Sequence, residues 1–108
     1  MSKNSSKFNE LIRELAGKFF VEEANSVNSL ITITKVESSS DRKNTTIFFT
    51  VFPEDKEKPA LDFAKRKRSE FKEYIKNESR LPRIPFVDFE IDYGERNRQN
   101  IDRISEEI

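Results

Sequence analysis

The chain has 108 residues, 34% hydrophobic and 37% charged, with 20 Lys and Arg against 20 Asp and Glu for a formal net charge of zero. That length suits one domain with a modest core, which ten Phe and the Ile, Leu and Val must supply in the absence of Trp. The lack of Cys and His excludes thiol chemistry, disulfides, the usual zinc sites and imidazole acid–base catalysis.

In chain order, residues 1–6 are polar and expected to be disordered, with Ser5 or Ser6 able to cap a helix. Phe8, Leu11, Ile12, Leu15, Ala16 and Phe19 then follow the spacing of one helical face, which predicts a helix to about Glu23. Asn25 to Ser29 reads as a loop. Leu30 to Val36 alternates β-branched residues, with Ile31 and Ile33 on one side and Thr32 and Thr34 on the other. A polar turn over Ser38–Asn44 leads to a second strand at Thr45–Phe52, so the pair predicts an antiparallel hairpin. Pro53 to Pro59 encloses a charged loop, Pro59 fitting the first turn of the next helix.

From Pro59 to Glu78 the apolar residues Ala60, Leu61, Phe63, Ala64, Phe71, Tyr74 and Ile75 share one arc of a helix. Lys67 and Arg68 project into that arc, whereas Lys65, Lys72 and Lys76 project away from it. An unbroken helix would press two cations toward the core, so a kink near residues 67–70 is expected. Two prolines within Arg80–Pro85 then enforce extended chain. Val87, Phe89, Ile91 and Tyr93 alternate with Asp88, Glu90 and Asp92 as a third strand with one acidic face, and Ile101, Ile104 and Ile108 mark a short C-terminal helix. Residues 1–108 are therefore expected to form a single α+β domain of order α-β-β-α-α-β-α, its three-stranded sheet packed by helices on one face.

The neutral total hides a polarised chain. Residues 60–83 carry eight Lys and Arg against four Asp and Glu, whereas residues 84–108 carry three against seven. The run Lys65-Arg66-Lys67-Arg68 reads from composition as a solvated face, with Asp62, Glu70, Glu73 and Glu78 as partners at helical spacing. No apolar run approaches a membrane span and no signal-peptide region opens the chain, so a soluble cytoplasmic protein is expected.

This order, with these residues, resembles the ribosome-binding factor A family, small bacterial proteins with a type II KH-like fold, over residues 7–104. The likeness rests on Ile31-Thr32-Ile33-Thr34-Lys35-Val36-Glu37 followed by Ser40-Asp41, and on Ile47-Phe48-Phe49-Thr50-Val51. Pro85, Val87, Phe89 and Asp92 match the spacing of the family's Pro-x-Leu-x-Phe-x-x-Asp strand, and Ile101 and Ile104 stand where the family closes with a short helix. Arg68, Ser69 and Glu70 occupy the positions of the family's Ala-x-Gly kink, the counterpart of the KH Gly-x-x-Gly loop.

The resemblance implies a non-enzymatic assembly factor that binds the small (30S) ribosomal subunit and its 16S rRNA in late maturation, and a monomer is expected. No cofactor and no membrane partner are expected. A KH-like elbow turns the preference for Lys65, Arg66, Lys67 and Arg68 from a solvated face to a phosphate grip, joined by Ser69, Lys72, Lys76, Arg80 and Arg83. Arg42 and Lys43 in the hairpin turn extend that basic surface. Phe48, Phe52 and Phe63 have faces on which unpaired bases can stack, although their periodicity reads first as core. Asp88, Glu90 and Asp92 read as a solvated, edge-protecting acidic face rather than a Mg²⁺ site. The alternative function is a protein-interaction module that uses this acidic strand and the C-terminal helix.

Overall fold

The computed structural model describes residues 3–23 and 30–99. Helix α1 runs Lys3–Glu23, and the positions of Ser5 and Ser6 fall within that range. The expected face is buried at Phe8, Ile12, Leu15, Ala16 and Phe19, and Phe20 joins them. Strands β1 (Leu30–Ser38) and β2 (Asn44–Phe52) form the antiparallel hairpin. Helices α2 (Glu57–Arg66) and α3 (Arg68–Glu78) follow, and β3 (Phe86–Ile91) completes a sheet of order β1-β2-β3. Because two helices carry the chain back across the sheet, β3 runs parallel to β2, and the sheet is mixed.

Strict alternation in β1 fails for a physical reason. Continuing the side of Ile31 and Ile33 by twos would place Lys35 against the helices and Val36 in solvent. A bulge between Ile33 and Lys35 absorbs one residue, so Ile31, Ile33 and Val36 pair with Val51, Phe49 and Ile47. Val36 then packs against the core, and the Lys35 ammonium lies 4.7 Å from the Phe48 ring on the other face.

The core is an aromatic cluster between the helices and one face of the sheet. Phe20 of α1 meets Phe89 of β3 edge to face at 5.2 Å, and it also meets Phe49 of β2 and Phe63 of α2. Phe71 of α3 lies 5.2 Å from Phe19 and 5.7 Å from Phe89. Seven of the ten Phe are buried, so a chain poor in aliphatic residues still closes a dry core.

Beyond β3 the structure departs from the sequence expectation. The strand ends at Ile91, and exposed Tyr93 opens a helix, α4, over residues 93–99. Asp92 is its cap: Oδ1 accepts the Glu95 N–H at 3.0 Å, satisfying an amide of the first turn. Asp92 also donates its own N–H to the Phe49 carbonyl at 2.8 Å and accepts the Thr34 hydroxyl on Oδ2 at 2.6 Å. One carboxylate thereby fixes β1 and the start of α4 together. The expected loop at 25–29 and the positions Ile101, Ile104 and Ile108 lie outside the described residues. No described helix is long and apolar enough to cross a membrane.

Candidate nucleic-acid interface

The helix break falls at Lys67, within the expected 67–70 window. Its N–H is shared between the Phe63 and Ala64 carbonyls, both at 3.1 Å, so the last turn of α2 tightens. Lys67 itself sits at φ −91° and ψ 5°, a bridge conformation open to any L-residue. That explains how the chain turns with Arg68-Ser69-Glu70 in place of small residues: the bend is placed on a residue that needs no glycine. Helical bonding resumes at once, with the Phe71 N–H donating to the Lys67 carbonyl at 2.8 Å.

The four basic residues at the break have different fates. Lys65 reaches the outer edge of β3, its Nζ 3.0 Å from Asp88 Oδ1 and 3.6 Å from Glu90 Oε1. Arg68 reaches the same oxygen, with Nη1 at 3.2 Å, while its Nε donates to the Lys65 carbonyl at 3.1 Å. The Phe89 N–H supplies a third donor to Asp88 Oδ1 at 2.9 Å. Lys67 lies half-buried, pairing with Glu70 at 3.1 Å and resting 5.6 Å from the Phe63 ring. Arg66 is exposed and makes no ion pair among the described residues. Ser69 is exposed, and the Glu70 carboxylate stands in the first turn of α3, where an incoming anion would lie.

Asp88 therefore serves as a neutralising partner of the elbow rather than part of a solvated acidic face. Partial burial pushes its carboxyl pKa up, but the Lys65 hydrogen bond, the Phe89 N–H and the charges of Lys65 and Arg68 outweigh that and hold it below the ordinary carboxylate value. Asp92 is also lowered: burial raises it, and the Thr34 hydroxyl, the Glu95 N–H and the Lys35 charge more than offset the rise. Sequence reasoning sought the elbow's partners on its own helices and missed Asp88 and Glu90. The alternation of 88 and 90 along a strand with a free edge was the signal that could have found them.

The remaining cations divide into two groups. Lys72 and Lys76 follow Arg68 at four-residue intervals along α3, both exposed and outside any ion pair among the described residues. Exposed Arg80 lies just past the helix end, where the Ser79 hydroxyl donates to the Ile75 carbonyl at 2.6 Å. Arg42, Lys43 and Arg83 instead surround one cleft of about 340 Å³ between the hairpin turn, α1 and the α3–β3 connection. The Phe86 N–H donates to the Lys43 carbonyl at 2.8 Å and joins that turn to the start of β3.

Of the aromatic candidates, Phe63 is buried in the core and Phe48 is half-buried beneath Lys35. Phe52 is 62% exposed, and Phe86, which sequence periodicity did not single out, is 55% exposed.

The chain is similar to ribosome-binding factor A from Thermus thermophilus, with a TM-score of 0.69 and 20% identity over 81% of this chain and 94% of that one. It is also similar to a Thermotoga maritima protein described as a ribosome binding factor A, with a TM-score of 0.63 and 18% identity over 83% and 88% of the two chains. No curated protein matched. At such identities the structures speak for the fold alone. The sequence itself matches the family profile for ribosome-binding factor A over residues 4–105, nearly the whole chain, and on that match the chain belongs to the ribosome-binding factor A family.

Proposed function

We propose that this chain is a cytoplasmic, monomeric and non-enzymatic ribosome-binding factor that grips 16S rRNA of the small (30S) subunit during late maturation. The observation that carries the reading is the set of exposed cations beside the elbow. Arg66, Lys72, Lys76 and Arg80 stand outside any ion pair among the described residues, on a chain whose family is described as ribosome-binding factors. Such cations bind phosphates and release counterions, so binding should weaken as salt rises. Lys65 and Arg68 form the second part of the grip and must exchange Asp88 for a phosphate oxygen. Lys67 is held by Glu70, and Ser69 and nearby amides add neutral donors. Arg83, Arg42 and Lys43 extend the same basic surface toward the hairpin turn.

The alternative, a protein-interaction module built on the acidic strand, has less support. Asp88 and Glu90 already serve the elbow, and Asp92 serves Thr34 and α4.

The test is sedimentation with 30S particles across a salt series. Replacing Lys65, Arg66, Lys67 and Arg68 with Ala should weaken association and flatten its salt dependence. Because that variant also removes the ties to β3, a companion with Arg66, Lys72 and Lys76 changed to Ala keeps them and should show the same trend. Native affinity and slope in both variants would remove the elbow from the mechanism.

A further inference from the structure

The cleft beside the hairpin turn combines two surfaces that belong together in nucleotide recognition. Its floor and wall are apolar, formed by buried Phe8 with Leu81, Pro82 and Ile84. Its rim carries the three cations Arg42, Lys43 and Arg83 against the single carboxylate of Asp41. At about 340 Å³ it has room for one planar ring system, at the small end of the ~300–1,000 Å³ typical of ligand sites.

The rim is held in place before any ligand arrives. Asp41 Oδ1 accepts the Ser39 hydroxyl at 2.6 Å and the Lys43 N–H at 3.0 Å. The Arg42 N–H donates to the Ser39 carbonyl at 2.9 Å, and the Ser39 N–H to the Asn44 carbonyl at 2.9 Å. These bonds fix Arg42 at φ 58°, in the left-handed region that favours Gly or Asn. Arg42 adopts that conformation although it carries a full-length side chain. That side chain lies over Phe8, its guanidinium carbon 5.4 Å from the ring centroid, and presents a flat cation at the cleft mouth.

We propose that this cleft is a subsite for one unpaired RNA nucleotide. The base enters the apolar cleft and stacks on the Arg42 guanidinium, while Lys43 and Arg83 hold the flanking phosphates. The inference rests on the RNA-binding reading above and gives it a base-accepting position separate from the elbow. The two sites lie along one strand. Phe86 is bonded to Lys43, and Asp88, which holds Lys65 and Arg68, follows two residues later, about 7 Å along β3. A single RNA strand can therefore reach both. Exposed Phe86 beside the turn offers a second stacking face.

The experiment titrates short single-stranded RNA containing 2-aminopurine and follows its emission and the affinity across a salt series. Native protein should change the emission as the base leaves its neighbours. Arg42→Lys keeps the charge and loses the plane: the salt slope should hold, affinity should fall about five- to tenfold and the emission change should disappear. Arg42→Gly relieves the left-handed backbone, so its melting temperature should hold or rise while affinity falls further and the slope flattens.

If Arg42→Lys behaves as native protein in affinity and emission, the rim holds phosphate only and the base subsite is wrong, although RNA binding stands. If the elbow variants abolish binding and neither Arg42 variant alters it, the RNA site is the elbow alone and the cleft is again excluded. Native protein that binds neither RNA nor 30S particles would overturn both readings. Loss of a ribosomal protein's binding in Arg42→Gly, with RNA binding intact, would assign the cleft to a protein partner.

Discussion

At the scale of single residues, Asp88 decides how available the elbow is. One of its oxygens takes Lys65, Arg68 and the Phe89 N–H together, so two cations that would meet phosphate begin already neutralised. The pairs are between one-third and two-fifths exposed at their basic ends, where ion pairs are weak enough for a polyanion to displace. Asp88→Asn removes the charge and keeps the shape. It should cost about 1 kcal/mol of stability, read by urea unfolding, because Lys65 keeps Glu90 and both cations can turn to water. RNA affinity at low salt should rise, and the salt slope should steepen by up to about 0.7 for each cation released. An unchanged slope would mean that Lys65 and Arg68 are structural residues of the β3 edge.

At the scale of elements, the legible parts were those with a single dominant period. The α1 face, the hairpin and the break after Arg66 all followed from where apolar residues recur. What stayed hidden depended on contacts between elements. The β1 bulge exists because Val36, not Lys35, must meet the core, and the end of β3 is set by Asp92 acting as a helix cap. Periodicity extended the strand to Tyr93 because it cannot weigh a cap against one more alternating residue. For the same reason it identified the cations of the elbow and missed their partners, which lie about twenty residues away on another element. The cap is testable. Asp92→Ala removes both the bond to Glu95 and the acceptor for Thr34, and should destabilise the fold by about 2 kcal/mol. Thr34→Val should lose roughly half of that while sparing the cap, and hydrogen exchange should show faster opening of α4 in the first variant only.

At the scale of the molecule, the absence of His and Cys makes an unusual prediction about pH. No side chain has an ordinary pKa between about 5 and 8, so stability should be flat across that range. The carboxylates that join separate elements, Asp88 between β3 and the elbow and Asp92 between β1 and α4, both have folded-state pKa values below the unfolded value of 3.8. Groups lowered on folding bind fewer protons in the native state. Their contribution is therefore complete above 3.8 and lost as pH falls through the folded values. Melting temperature should hold from about pH 8 to 5.5 and then drop below about pH 4. In a protein carrying Asp88→Asn and Asp92→Asn the starting stability should be lower and the acid limb shallower, because two of the groups that drive it no longer titrate. An acid limb of unchanged steepness would place the linkage in other carboxylates and leave these two as ties without a titratable role.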